Sequence, residues 1–138
     1  MAVPRSAPVP YRLVEQSLVF HEERNGEARY RLLETVRQYA RERLLGAGEA
    51  EWVRQQHYDW CLALAEQAEP ELFGAEQRVW LNRLEREHDN LRSALSWADE
   101  QCRTGEALRL CGALGRFWLV RGYWSEGRAR LAQALALT

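Results

Sequence analysis

Tyr30-Arg31-Leu32-Leu33-Glu34-Thr35-Val36-Arg37-Gln38-Tyr39-Ala40 is the stretch in which the chain turns from extended into helical structure. Before the turn into helix, two runs rich in strand-forming residues, Leu18–Glu22 and Ala28–Leu32, enclose a segment containing the pair Asn25-Gly26. This pair tolerates the positive φ angles of a tight hairpin turn. From the second half of the quoted stretch onward, apolar side chains recur at helical spacing, and Gly46 and Gly48 stop the helix. We therefore predict a β-hairpin followed directly by a helix.

Everything after Leu45 has helical periodicity. On the first of these helices, three- and four-residue steps predict a buried stripe of Trp52, Val53, Gln56, Trp60, Leu64 and Ala68. The cluster Glu87-His88-Asp89-Asn90 separates two later helices, and we expect Asp89 or Asn90 to cap the second, which places Leu91, Leu95 and Cys102 inward. The predicted helices cover Glu49–Glu69, Ala75–Glu85, about Asn90–Cys102, Glu106–Val120 and Trp124–Leu137.

The last two helices carry a repeat signal. Leu114-Gly115-x-x-Trp118 followed by Gly122, Gly127, Leu131 and Ala134 is similar to the tetratricopeptide pattern. In that pattern, small residues at Gly115 and Gly127 let two antiparallel helices approach, while Trp118 and Leu131 fill the space around them. A shift of about 36 residues overlays Leu91, Leu95 and Ala98 on the last three positions, which indicates a degenerate preceding hairpin. The predicted fold class is mainly α, with antiparallel helical hairpins of tetratricopeptide type preceded by a small β-hairpin.

The Tyr30–Ala40 run also resembles the strand-to-helix junction that closes the winged helix of bacterial STAND-type (NB-ARC/AP-ATPase-like) regulators of the LuxR/SARP-associated class. In that family a tetratricopeptide-like array follows directly. The resemblance implies a disordered arm over residues 1–10, a partial winged helix over 11–46, and a tetratricopeptide-like region over 47–138 that is truncated at its C-terminus.

No catalytic machinery is recognisable. All 19 basic residues are arginines, so the lysine that a P-loop places on the β and γ phosphates is absent, and arginine does not replace it freely. We predict that His21, His57 and His88 form no metal site with the cysteines. No Ser-His-Asp or Cys-His set can be assembled either. We predict a protein that is not an enzyme, with no catalytic, cofactor-binding or metal-binding residues.

Composition points to a folded protein of the cytoplasm. The net charge of −1 gives no general attraction to nucleic acid or to anionic membranes, and no stretch has the length of a membrane span. Three cysteines, Cys61, Cys102 and Cys111, form no pair typical of a disulfide framework. We expect all three to be buried, inert thiols on apolar helix faces.

Two sets of residues are candidates for binding. Arg24, Arg29 and Arg31 lie on the predicted wing and would contact DNA or another domain, but interleaved glutamates disfavour direct DNA binding. Six tryptophans are present, and Trp97 and Trp124 lie off the predicted apolar stripes. With Tyr123, they are candidates for contact with a peptide, protein or inducer. The terminal helix would expose an apolar face, which suggests a homodimer or a missing repeat.

The sequence and the resemblance together predict a non-catalytic regulatory segment of a signal-responsive transcriptional regulator. It would couple partner or inducer binding to a nucleotide switch that this chain lacks, with a protein or other domains of the regulator as partner. The alternative is a free-standing DNA-binding winged-helix regulator, and an enzyme with an unrecognised polar pocket is the third class.

Overall fold

The computed structural model describes residues 19–24 and 26–138. The predicted arm, the part of the predicted partial winged helix before Val19 and the turn residue Asn25 lie outside the described residues. The described residues divide into two compact units, which meet between Ala50 and Glu51. The elements are β1 (Val19–Arg24), β2 (Glu27–Leu32), α1 (Glu34–Ala47), α2 (Ala50–Glu71), α3 (Gln77–Arg86), α4 (His88–Glu100), α5 (Thr104–Arg121) and α6 (Trp124–Ala136). This confirms the predicted fold class, a mainly helical chain with a small hairpin before the helices.

In the first unit, β1 and β2 pair antiparallel in a register that runs from Val19 opposite Leu32 to Arg24 opposite Glu27. Gly26 has a φ of 77° at the turn, a left-handed conformation that glycine adopts without steric cost. Helix α1 includes Gly46 and ends at Ala47, and the second predicted stop, Gly48, is its C-cap: its φ is 71° and its backbone N–H caps the last carbonyls.

The second unit is built around one apolar core, and α2 faces this core differently from the prediction. Trp52 is 67% exposed and Trp60 is 49% exposed, so the prediction is wrong for both tryptophans of the stripe, whereas its Leu64 and Ala68 are buried as predicted. The buried face instead consists of Tyr58, Cys61, Leu62, Leu64, Ala65, Ala68 and, just past the helix, Leu72. From this face the Tyr58 hydroxyl donates to the carbonyl oxygen of Glu106 on α5 at 2.7 Å.

Helix α4 begins earlier than predicted and without the expected cap. Its first residue is His88, and no side chain caps its N-terminus, so the capping role of Asp89 or Asn90 is wrong. The helix ends at a turn in which Cys102 has a φ of 53° and is exposed, which corrects the prediction of a buried thiol at this position. The backbone N–H of Arg103 donates to the Ala98 carbonyl at 2.8 Å across this turn.

Helices α5 and α6 form the hairpin that the repeat signal predicted. Gly122 joins them with a φ of 80°. A Cβ built on Gly127 would lie 2.8 Å from the Trp118 ring, so here the two helices are in close contact. Gly115 differs: a Cβ there meets nothing within 4 Å, and its predicted role in close approach is wrong. Leu131 is 38% exposed and only partly fills the space assigned to it.

Candidate functional site

A polar cluster centred on Glu126 joins α4 to α6 at the edge of the core. The Glu126 carboxylate lies 3.0 Å from His88 Nε2 through Oε1. It also accepts two hydrogen bonds from Arg92, from Nε at 3.0 Å and from Nη2 at 2.8 Å. Over the described residues, His88 is the one polar residue that is buried as a whole, at 6% exposure. We call Glu126, His88 and Arg92 the Glu126 cluster.

The charges of this cluster support one another. The hydrogen bonds from Arg92 are the main reason that the pKa of Glu126 lies below its usual value, while burial acts in the opposite direction. The same bonds raise the pKa of Arg92. Charge-assisted and bidentate pairs of this kind are stronger than neutral hydrogen bonds and fix the relative orientation of the elements that carry them.

Aromatic rings extend the cluster toward α3. The His88 ring lies 4.4 Å from the ring of Tyr123 and 5.3 Å, edge to face, from the ring of Phe117. The Tyr123 hydroxyl donates to Glu85 at the end of α3. This bond is the main cause of a raised Tyr123 pKa. One side chain of the α5–α6 junction therefore connects α3 and α4.

A second polar group lies between α2 and α4. His57 Nε2 is 3.4 Å from Asn90 Oδ1 and 3.8 Å from Cys61 Sγ. Asn90 in turn donates to Glu87 at 2.7 Å. The sequence did not predict that a cysteine and a histidine would meet. This pair is not a nucleophile and base, because one ring nitrogen faces both partners, Cys61 is fully buried, and burial raises its pKa to about 12.

The two groups explain the Glu87-His88-Asp89-Asn90 motif. Asn90 and Glu87 face α2, whereas His88 faces α6, and Asp89 accepts a hydrogen bond from Arg92 at 3.1 Å. The sequence predicts that this motif is an interhelix cap. In the structure, its Asn90 and His88 side chains instead join α4 to a helix on each side.

One face of α6 is apolar and open to solvent. Trp124 is 63% exposed, Leu131 38% and Leu135 57%, and the exposed Arg128 lies between them in sequence. These four residues recur at steps of four, three and four, so they share one side of the helix. We call them the α6 face.

The predicted partner-binding residues do not form one surface. Trp97 is 2% exposed and packs in the core beside Tyr58, so its placement off the apolar stripe was wrong. Tyr123 is half-buried and engaged with His88 and Glu85. Only Trp124 is largely exposed, and its ring N–H donates to the Leu119 carbonyl at 2.9 Å.

The predicted arginines lie on the hairpin of the first unit. Arg31 has a side chain that is 73% exposed, 4.0 Å from Glu22 and stacked over Phe20. Arg29 is half-buried and occupies the alternate position on the same strand face. Arg24 pairs with Glu27 in the strand register, and the position of its side chain is outside the described part.

Residues 19–24 and 26–138 contain neither a cluster of metal ligands nor a helix suited to a membrane. That part of the chain brings no three His, Cys, Asp or Glu side chains together as metal ligands. None of its helices combines the length and apolarity that crossing a bilayer requires.

Comparisons with known proteins relate the chain to transcriptional regulators. It is 43% identical over 115 residues to a protein of Mycobacterium bovis provisionally named an HTH-type transcriptional regulator. It has the same identity to proteins of that name from two Mycobacterium tuberculosis strains. The match covers 83% of this chain and 13% of each relative. No family model matches the chain, and no solved structure does.

This name corrects one prediction. Helix-turn-helix regulators read DNA through a recognition helix, so the inference that direct DNA binding is disfavoured was wrong. That inference relied on the charge pattern of the predicted wing. This pattern carries no information about DNA binding by the parts of the longer relatives that lie outside the match. The chain is therefore similar, over most of its length, to one portion of much longer proteins named as HTH-type transcriptional regulators.

Proposed function

We propose that the chain is a non-catalytic regulatory segment of a signal-responsive transcriptional regulator. In this proposal, residues 47–138 are a tetratricopeptide-like module that binds a protein or inducer. The residues before them belong to a partial winged helix, and the whole regulator is of the STAND type. Binding at the helical module would alter a nucleotide switch elsewhere in the regulator, and through it the DNA-bound output.

The observation that carries this proposal is the α6 face. Three large apolar side chains stand open on one side of a helix whose other side packs tightly on α5. Contiguous exposed apolar surface of this kind typically marks a protein-interaction site, since it has a cost in water that only a covering partner removes. The two polar groups described in the same unit, the Glu126 cluster and the group around His57, join helices to one another and do not form a set of catalytic side chains.

A test in the cell addresses the α6 face directly. We expect the double substitution Leu131→Glu and Leu135→Glu in the chromosomal gene to change signal-dependent transcription at least about fivefold, the lower end of ordinary coupling energies. RNA sequencing with and without the inducing condition measures this, and an immunoblot establishes equal protein levels. Gln133→Glu on the same helix is the matched control. An unchanged transcriptional response in the double variant at normal abundance would count against the proposal.

The second candidate is direct DNA contact by the hairpin, as in a free-standing winged-helix regulator. The name of the relatives and the exposure of Arg31 favour it. In this case the chain binds duplex DNA with an affinity that falls steeply with salt, and the double substitution Arg29→Ala and Arg31→Ala lowers the salt slope by about 2. Fluorescence anisotropy with a labelled duplex measures both quantities. Arg78→Ala, an exposed arginine of α3, is the control, and no binding in low salt rejects this candidate.

A further inference from the structure

Helices α4 and α6 are successive copies of one unit. Each is 13 residues long, and their first residues, His88 and Trp124, are 36 positions apart. The overlay that the sequence suggested is therefore also an overlay of helix boundaries. On α4, four positions at steps of four, three and four define an outer side: His88, Arg92, Leu95 and Asp99. Their counterparts on α6 are the α6 face: Trp124, Arg128, Leu131 and Leu135.

On α4, the α5–α6 hairpin contacts three of the four positions, and the fourth is buried in the core. His88 and Arg92 bind Glu126, and the rings of Phe117 and Tyr123 pack on His88. Leu95 is 1% exposed in the core. Asp99 lies 3.5 Å from Arg130 of α6, with its side chain 7% exposed.

On α6, the same positions are open. Trp124 is 63% exposed where its counterpart His88 is 6%, and Leu131 is 38% exposed where Leu95 is 1%. Arg128 stands at the position of Arg92 but has no ion pair among the residues that the structure describes. The helix thus repeats the docking side of α4 without the hairpin that α4 receives.

From this correspondence we infer that the α6 face accepts a helical hairpin of the α5–α6 type, with a carboxylate on its second helix bound to Arg128 as Glu126 is bound to Arg92. The occupant's first helix and interhelix turn would place aromatic side chains on Trp124, as Phe117 and Tyr123 lie on His88. This inference rests on the proposed function and names the partner by its chemistry, an acidic amphipathic helical hairpin.

A second copy of the chain does not fit this role. To stack on α6 as the next layer, it would have to present the side of its α3–α4 layer that faces away from α5 and α6. In this chain α2 covers that side, through Cys61 and His57 against Asn90 and through Tyr58 against Trp97.

The test extends the chain with its own hairpin. A second copy of residues 103–138 placed directly after Thr138 keeps the 36-residue period, and its glutamate then has the sequence offset from Arg128 that Glu126 has from Arg92. We expect one cooperative urea transition, with a larger slope because more surface is buried, and a midpoint raised by about 1 M. Circular dichroism and tryptophan fluorescence should give coincident curves.

Charge variants isolate the predicted pair. Arg128→Glu should cancel a large part of the midpoint gain in the extended chain and leave the unextended chain within about 0.2 M of its parent. Exchanging the repeated glutamate for arginine in that variant should restore most of the gain. Arg78→Glu is the matched control on α3 and should act equally in both chains.

Three results overturn the inference: two separate transitions in the extended chain, an equal effect of Arg128→Glu in both chains, or a dimer of the unextended chain that Leu131→Glu dissolves. None of them decides the proposed function, because the transcriptional assay tests the α6 face whatever its occupant is. Conversely, an unchanged transcriptional response would reject the proposed function. If the extended chain still unfolded in one transition with the Arg128-dependent gain, the inferred docking of a hairpin on the α6 face would stand.

Discussion

Gly127→Ala is expected to lower the free energy of unfolding by about 1–3 kcal/mol, although alanine is the better helix former by about 1 kcal/mol. The added methyl would lie 2.8 Å from Trp118 Cε3 and 3.1 Å from its Cδ2. Neither group can move away easily, because Trp118 is only 3% exposed and is enclosed by the core. Helices α5 and α6 would have to separate at the point where they are closest.

Gly112→Ala on α5 is the matched control with the opposite expected sign. A Cβ there meets nothing within 4 Å, and φ is not in the left-handed region. Only helix propensity acts, so we expect a gain of about 0.5–1 kcal/mol. Urea denaturation of both variants measures the difference. Equal effects of the two substitutions would show that the contact with Trp118 does not constrain the hairpin.

The second large effect is expected for Glu126→Ala, a loss of about 2 kcal/mol in the free energy of unfolding. The substitution leaves His88 almost fully buried without its carboxylate partner, and it leaves Arg92 paired only with Asp89 of its own helix. The loss is smaller than for a fully buried pair, because the Arg92 side chain is 42% exposed and water replaces part of the interaction. Glu66→Ala is the control: its carboxylate also binds an arginine through two bonds, at 2.6 and 3.0 Å, but Arg109 is 63% exposed. There we expect less than about 1 kcal/mol.

The pH dependence gives an independent readout of the same cluster. Since the folded state lowers the pKa of Glu126, its contribution is fully present above the usual carboxyl pKa of 4.5 and disappears as pH falls through the lowered value. Glu126→Gln, which does not titrate, should therefore flatten the fall in stability below about pH 4.5. Urea midpoints between pH 3 and pH 7 measure this, and an unchanged slope would rule out the bound carboxylate as its source.

Much of the fold was readable from periodicity, because glycines and helical spacing mark element ends directly. Both strands and all six helices in the described part were expected, with ends displaced by at most two residues. The phase of α2 was not readable. Both Trp52 and Tyr58 fall on apolar stripes of that helix, and only the neighbouring helices decide which stripe is buried. The large side chains suggested the tryptophan face, whereas the buried face is the one that carries Tyr58, Cys61 and Ala65.

The candidate site was harder to predict than the fold. The spacing predicted that Trp97 lies off the apolar side of α4. Two residues outside that helix cover its ring: Tyr58 on α2 and Arg103, whose guanidinium lies 4.7 Å from the Trp97 ring. The link from Arg92 to Glu126 spans 34 positions and has no local signal. The 36-residue overlay was the one sequence feature that pointed to this link, because the overlay aligns Arg92 with Arg128. The arginine is bound to a carboxylate in the first copy of the position and is open to solvent in the second.

The Glu126 cluster also determines how a disturbance would spread through the helical unit. Each layer of this array completes the polar groups of the layer before it, so detachment of α6 would leave the histidine and arginine of α4 facing water without their carboxylate. Unfolding would then begin at α6, which packs against other helices on one side only, and would continue one layer at a time toward the helices behind it. A ligand that binds α6 would therefore stabilise the helices that pack behind α6 as well as α6 itself.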